Sequence, residues 1–400
     1  MKSMQDAYAL RKAGGYDRPR QASQALPLVY GNLSAGAGGG VWPAACLDTE
    51  AFIYAYCGAP VLSAQDGNQV RVFDKNGAEL SGFVFNHSHD LEGRGAIATL
   101  TFGQDMRAYE PLSLAGCGRA DESGLLLNPL EVARDFLLNF CGLEATRLDN
   151  AAWARASSQC KVLGYHAAGL VSKDQAVSQI MSELLSCFLG SWWMDARGRL
   201  RVSLQHGPGL LGESELTAIF GWADNTDAVL QADLDNICNR LICNHTYNWM
   251  SREYQGYEDG QTEAVLRSRS LYGDQVRSLD LPWVREAATV RAIQRSLVSA
   301  FAYPVRMLTL SQDSFVSLHA ERGDYVCLSC AWLKDSLRRP LVNQIMRVLS
   351  VEPDLDKRQV RFTLLDTGFY KTTACVADGS ETAEGVNLAG GQRDIREAIL

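Results

Sequence analysis

No stretch of this 400-residue chain is apolar for the roughly eighteen residues that a membrane-spanning helix requires. The opening residues, MKSMQDAYALRKAGGYDRPRQ, have no apolar core of the kind a secretory signal carries, so the expectation is synthesis and folding in a cytoplasm. Basic charge is also in short supply. Lys and Arg number 38 against 46 Asp and Glu, a net charge of −8. Tight gripping of nucleic acid needs a basic face, which this balance argues against. Passage of DNA close by without sticking remains compatible with it, because a negative wall repels phosphate. The motifs of common catalytic sites are missing as well. There is no G-x-S-x-G, no H-E-x-x-H, and no cysteine at a helix start beside a positive residue. On this reading the chain is not an enzyme, with no catalytic, cofactor-binding or metal residues assigned.

What is present is a globular composition, 46% hydrophobic, 21% charged and 9% aromatic, long enough for two or three domains. Four glycines stand within the five residues GAGGG, 36–40. A phosphate loop would need a helix start after them, and Val41-Trp42-Pro43 follows instead, with no Lys-Ser or Lys-Thr pair. Gly36, Gly38, Gly39 and Gly40 also miss the G-x-G-x-x-G spacing, so a bend in the chain is the better reading. The eleven cysteines are scattered from Cys46 to Cys375 and read as small buried hydrophobes. Cys327 and Cys330 form C-x-x-C, and Cys238 and Cys243 lie five apart, both in strand-like sequence. Odd spacings on a strand point to opposite faces unless a bulge intervenes. An iron–sulfur or zinc site from the scattered cysteines is thus an alternative without a compact four-ligand spacing behind it. His87 and His89, in NHSHD, could share a face at i, i+2 if extended, but the Gly-rich neighbourhood reads as a solvated loop. His166, His206, His245 and His319 stand alone in sequence, His166 reading as a packing or capping residue. Trp192-Trp193 could make a sugar platform, but at the end of an amphipathic helix reads as core.

Residues 27–102 carry mostly β signals: AFIYAYC, AIATLTF, and VRVFDKNGAELSGFVF with a Lys75-Asn76-Gly77 turn. Asn128-Pro129 then opens a helix, with Glu131 in its first turn and Gly142 as its stop. A second helix is expected over 150–161, and a third after Ser172 from the spacing of Val177, Ile180, Met181, Leu184, Leu185 and Phe188. SWWMDARGRLRVSL follows as a hairpin turning at Asp195–Gly198. Beyond a Gly-rich joint at 206–214 come a strand in NRLICNHTYNW and a helix over 283–302, with Ala287, Ile293, Leu297, Val298 and Phe301 inward and Tyr303-Pro304 as its end. The strand VRMLTLS, a Gly323-Asp324 turn into YVCLSC, and a last hairpin turning at Glu352-Pro353-Asp354 complete the pattern. The fold class is α+β.

PLVYG (27–31), NPLEVARDFLLNFCGL, KDQAVSQIMSELLSCFLGSWWMDARGRLRVSL and SLYGDQVRSLDLPWVREAATVRAIQRSLVSAF, with the later RGDYVCLS, resemble the baseplate hub and tail-tip proteins of tailed bacteriophages, including the central region of lambda-type tip attachment proteins. The resemblance spans about 27–370 as an order of elements. It implies an N-terminal arm (1–26), a first tube-like β domain (27–115), an inserted α+β domain of three helices and a hairpin (116–210), a second tube-like β domain with one long helix (211–375), and a C-terminal tail (376–400). GAGGG would then be a bend where another subunit approaches. It further implies a structural, ring-forming hub, most simply a homotrimer, in the virion tail tip. Distal-tail, tail-tube, tip or fibre and tape-measure proteins would be its partners, and DNA would pass through the lumen unbound. The lumen wall is expected to be acidic or neutral, with basic runs such as 267–269 and 338–339 at subunit contacts. The rival readings are a cell-wall hydrolase and a host-sugar-binding adhesin.

Overall fold

Alternating apolar residues and frequent turn signals build an α+β chain dominated by strands. A computed structural model describes residues 26–34, 39–90, 95–171, 175–205, 216–220, 225–233, 235–260, 265–312, 318–334 and 340–366. The expected arms, the 206–214 joint, Gly36, Gly38, His206, Cys375, Arg338 and Arg339 lie outside these residues. Contacts group the chain into two units. The first takes residues 1–201, 243–258 and 279–292, and the second takes 202–242, 259–278 and 293–400. Segments 243–258 and 279–292, which fall within the range 211–375, are thus grouped with the first unit.

In the first unit the chain opens with β1 (Leu28–Tyr30), β2 (Asn32–Leu33) and β3 (Trp42–Pro43). Then follow β4 (Ala45–Asp48), β5 (Ile53–Cys57), β6 (Arg71–Phe73) and β7 (Glu79–Leu80). The next strands are β8 (Phe83–Asp90), β9 (Ala96–Phe102) and β10 (Ser113–Cys117), with the small hairpin β11 (Ala120–Asp121) and β12 (Gly124–Leu125). One sheet runs β4-β5-β9-β8, and a second runs β2-β10-β6-β7 with β3 also on β10. The Lys75-Asn76-Gly77 turn is present, with Gly77 at φ 79° and Val72 opposite Leu80. The run after it is broken at Gly82 (φ 81°), so that β7 and β8 serve different sheets.

Helix α1 (Pro129–Asp135) starts as the sequence predicts: Asn128 Oδ1 accepts from Leu130 N at 2.9 Å and Pro129 occupies the first turn. Its last turn widens into a π-helical turn over Phe136–Phe140, ended by Gly142 at φ 67°. Helix α2 (Asn150–Leu163) closes on Gly164 in the left-handed region, and β13 (Gly169–Val171) pairs with β1. Helix α3 (Val177–Cys187) buries Ile180, Met181, Leu184 and Leu185, the face its periodicity marks. The hairpin β14 (Gly190–Met194) and β15 (Leu200–Leu204) turns on Asp195, whose Oδ1 accepts from the backbones of Arg197 and Arg199 at 2.9 and 2.7 Å.

The second unit is built on a six-stranded sheet. Its strands are β16 (Leu216–Phe220) and β17 (Asn225–Asp233), then, after β18 (Arg240–Asn248), β19 (Glu253–Gly260), α4 (Leu266–Tyr272), β20 (Val276–Asp280) and α5 (Ala287–Phe301), the run β21 (Val305–Gln312), β22 (Tyr325–Lys334), β23 (Pro340–Asp354) and β24 (Gln359–Asp366). The order is β16-β22-β23-β24-β21-β17, and β18 to β20 form a separate sheet in the order β19-β18-β20. Leu308, Leu310, Val326, Leu328, Met346, Val348, Val360, Phe362 and Leu364 form its core, the every-other-residue pattern of one sheet face.

Three expectations need correction. NHSHD is not a loop: it is the end of β8, held on β9 with a register shift between Asn86 and His89. The last hairpin does not turn at Glu352-Pro353-Asp354. β23 runs through these residues, Pro353 faces Val360, and the turn falls at 355–358 with Arg358 at φ 54°. Proline is tolerated there because β22 pairs with β23 only from Pro340 to Arg347, leaving the outer edge at Pro353 with no ladder bond to lose. The helix expected over 283–302 begins at Ala287. Residues 281–285 have backbone groups engaged elsewhere, Leu281 N on Asn244 O, Val284 O on Thr246 N and Arg285 O on Thr246 Oγ1, which keeps them out of the helix.

Asn128 does two things at once, capping α1 and donating from Nδ2 to Ser157 O at 2.9 Å. Asn128→Ala should lower unfolding stability by about 1–2 kcal/mol, read as a shift in the urea midpoint with an unchanged slope.

Candidate functional site

The residues singled out by sequence do not converge. On β8 the register shift breaks the i, i+2 relation: His87 is exposed and His89 half-buried, its Nδ1 3.5 Å from Asn86 Nδ2. The ten described cysteines are all buried as thiols. Burial raises the thiol pKa of Cys141 and Cys187 to about 12 each, and also raises those of Cys117, Cys238 and Cys327, which disfavours the thiolate. A register shift between Leu328 and Cys330 does interrupt the C-x-x-C strand. Even so, among the described residues no group of three or more His, Cys, Asp or Glu could hold a metal ion. Trp192 and Trp193 are both half-buried, neither a core pair nor an open shelf. Trp192 Nε1 donates to Ser182 Oγ at 3.1 Å, and the Arg201 guanidinium lies 5.6 Å from the Trp193 ring.

The glycine run ends in a tight contact within the chain itself. A Cβ on Gly40 would lie 2.5 Å from the Ser113 carbonyl carbon, so only glycine lets this backbone approach β10. Val41 N donates to Leu114 O, and Asn248 Nδ2 donates to Gly40 O at 3.2 Å. The expected approach of another subunit is, at Gly40, an approach of this chain's own strand.

The densest constellation in the first unit surrounds a strap, residues 279–289 (LDLPWVREAAT). Leu281, Trp283 and Val284 are buried at 0%, 2% and 0% exposure. The Trp283 indole packs against Gly169 of β13: a Cβ there would sit 2.2 Å from it. Trp283 O accepts from Ala168 N at 2.9 Å, and its Nε1 donates to Glu183 Oε1 on α3 at 3.0 Å. Glu286 Oε2 is 2.8 Å from His166 Nδ1, and Thr289 Oγ1 donates to Gly164 O and accepts from His166 N. Arg285 donates from Nη1 to Tyr247 O at 3.0 Å and from Nη2 to Ser34 O at 2.9 Å. Burial pulls its pKa down to about 10, which leaves the guanidinium charged at neutral pH.

Against this strap lies the pair His245–Thr246 of β18. Thr246 takes φ 56°, an uncommon backbone for a β-branched residue, and it acts as a bulge: Cys243 and His245 point inward, after which Asn248 rather than Tyr247 is buried. His245 Nδ1 is 2.8 Å from Thr246 Oγ1, and that hydroxyl donates to Arg285 O at 3.3 Å. A hydroxyl beside an imidazole is the geometry of nucleophile and base. Here, however, the imidazole is 8% exposed and roofed by Gly256, on which a Cβ would sit 2.3 Å from Cε1, so no reacting group can approach that face. Burial lowers the His245 pKa; Glu258 opposes this and the positive Arg285 reinforces it. The arrangement positions backbone. It does not expose a reactive atom.

No protein-family model matches this sequence, and none of the curated proteins matches it. Among solved structures, the chain is similar to the 43 kDa tail protein of prophage MuSo2 from Shewanella oneidensis, at 10% identity over 86% of this chain and 89% of that one, with a TM-score of 0.36. It is similar too to the prophage tail protein gp18 from Listeria monocytogenes EGD-e, at 10% identity over 76% and 88%, with a TM-score of 0.32. Similarity at this level assigns no function to the chain.

Sequence reasoning missed the meeting of His245 and Thr246 with Arg285, because Arg285 lies 39 positions from Thr246 and 251 from Ser34 in the chain. The one available signal was Arg285-Glu286 directly after Trp283-Val284. Of the expected basic runs, Arg269 is paired within its own chain to Asp274 at 2.5 Å.

Two outcomes are expected. Gly169→Ala should cost about 1–3 kcal/mol by forcing Trp283 out of its place, and Trp283→Ala about 3–5 kcal/mol, both from chemical denaturation. The second concerns pH. Because the folded pKa of His245 lies below its unfolded value, the unfolded state takes up the proton first. The contribution of the neutral imidazole is therefore full above about pH 6.5 and is lost as pH falls below it. Denaturation midpoints between pH 7 and 5 should fall less steeply in His245→Gln than in the wild type.

Proposed function

We propose that this chain is a structural protein of a bacteriophage tail, placed at the tail tip or baseplate as a hub. What supports the reading is the order of elements. NPLEV begins a capped helix, VSQIMSELLSC is followed by the β14–β15 hairpin, LPWVREAAT becomes a strap leading into α5, and RGD turns into β22. These are stretches on which the resemblance rests. The observation that carries most weight is the strap, since its charged residues hold the scaffold together and the hydroxyl–imidazole pair of β18 packed against it is closed to reactants.

In this proposal three copies close into a ring, which ends heterologous interfaces without forming a filament. The two sheet-bearing regions of each chain would face a six-fold tail tube. Tail-tube, distal-tail, tip or fibre and tape-measure proteins would be neighbours in the virion. DNA would pass through a lumen with an acidic or neutral wall, because each phosphate held by Lys or Arg adds affinity and slows sliding. The chain would do no catalysis. The test is mass measurement and imaging of assembled tails labelled on this chain. Three copies at one tip support the hub. One copy or six per tail overturns the trimer, and label along the tube or absent from the particle overturns the tip. A particle that assembles normally but fails to enter cells after His89→Ala would reveal a missed chemical role.

A further inference from the structure

The turn from β6 to β7, Asp74-Lys75-Asn76-Gly77-Ala78, contains the one Asn-Gly pair in the sequence, and both of its residues are exposed. The backbone nitrogen that follows an asparagine is a nucleophile within reach of the side-chain Cγ, and a glycine there has no side chain to hinder the approach. In this turn both reacting groups are held by one residue. Asp74 O accepts from Gly77 N at 3.0 Å, and Asp74 Oδ2 accepts from Asn76 Nδ2 at 3.3 Å. Asp74 Oδ1 accepts in addition from Asn76 N and Ala78 N, each at 2.8 Å, and Asp74 N donates to Ala78 O at 2.9 Å. The bond from Ala78 N, with those from Asn76, holds the Asp74 carboxyl below the usual carboxylate range, so it is ionised at neutral pH. Lys75 N is engaged as well, on Tyr109 O at 3.0 Å.

We propose that Asn76 is a site of spontaneous covalent rearrangement and that Asp74 is the restraint that slows it. In the reaction Gly77 N bonds to Asn76 Cγ, the Cγ–Nδ2 bond breaks, and Nδ2 leaves as ammonia with the proton from Gly77 N. Water then opens the cyclic imide. Hydrolysis of its Cγ–N bond leaves an ordinary aspartate. Hydrolysis of its other C–N bond leaves an isoaspartate, whose main chain runs through Cβ and Cγ and is one atom longer. Both products replace the donor Nδ2 by a carboxylate, so an attraction to Asp74 becomes a repulsion between like charges. The longer main chain also no longer matches a turn set by the Asp74–Ala78 bonds and by Gly77 at φ 79°. β7 is the edge strand of its sheet and is held on β6 by two residue pairs, Val72 with Leu80 and Phe73 with Glu79. The exposed Arg71–Glu79 ion pair adds little. The isoaspartate form therefore releases β7 from β6. The inference concerns this turn alone and does not depend on the proposed place of the chain in a phage tail.

Incubation of the full chain at pH 8 and 37 °C, followed by digestion and mass spectrometry of the peptide that holds residue 76, tests it. The wild type should gain one mass unit at Asn76 slowly when folded and faster when unfolded in urea, with isoaspartate among the products. Folded Asp74→Ala should gain it about tenfold faster, the factor that losing one hydrogen bond to a charged group corresponds to. Asp74→Asn, which keeps a side-chain acceptor oxygen, should fall between the two. Glu79→Ala loosens β6 and β7 without touching Asp74 and should keep the wild-type rate. Equal rates in the wild type and Asp74→Ala overturn the proposal, as does an Asp74→Ala chain that forms no isoaspartate. A Glu79→Ala rate equal to that of Asp74→Ala would assign the restraint to the strand pair, which also overturns it.

Discussion

The contact between the Trp283 indole and the bare backbone of Gly169 is the constraint on which the first unit depends. A side chain on Gly169 would occupy the space of the ring, so β13 and the strap can approach only at a glycine. With the ring seated, Trp283 O reaches Ala168 N beside β13 and its Nε1 reaches Glu183, so a single residue ties a strand end and a helix to a segment a hundred or more positions away. Everything downstream on the strap follows from that placement. Arg285 reaches Ser34 and Tyr247, Glu286 reaches His166, and Thr289 closes on Gly164. The Arg285–Tyr247 and Thr289–Gly164 bonds are part-buried, where a lost partner costs more than a formed bond contributes, while the Glu286–His166 pair is exposed to solvent.

The charged residues elsewhere in the same unit follow the same logic. Asp135 accepts from Tyr30 Oη at 2.8 Å, from Arg119 Nη2 at 2.6 Å and Nε at 3.1 Å, and from Asn139 Nδ2 at 2.7 Å. Burial, with Asp135 beside it, holds the Tyr30 phenol well above its ordinary pKa, so it remains a donor. Such a carboxylate is saturated, with no lone pair aimed at a substrate. Chemistry of this kind suits a part that must keep its shape under load, and it is the physical link between the geometry and the structural role proposed.

The second unit relies on a different principle. Its sheet buries one continuous apolar face, with Phe220 and Phe362 in contact at 5.0 Å between ring centroids, and it closes the end of β24 with the Arg306–Asp366 ion pair. A core of this sort specifies strand register strongly, because a one-residue slip would turn every apolar side chain to the other face.

The sequence by itself determined the local elements, because their causes are local. Asn128 with Pro129 starts a helix, the spacing from Ile180 to Leu185 makes an apolar stripe, and Asn76-Gly77 turns a chain, whatever surrounds them. The α+β class followed from these. Tertiary structure decided the rest wherever a local preference competed with a distant partner. Trp283 to Arg285 lie ahead of the helix because their carbonyls accept from Ala168, beside β13, and from Thr246 of β18. Pro353 stays in a strand because β22 ends before it. The NHSHD residues are extended because β9 offers them a ladder. His245 acquired its partners only when Gly256 and Arg285 were brought to it, and no spacing within NRLICNHTYNW encodes that meeting.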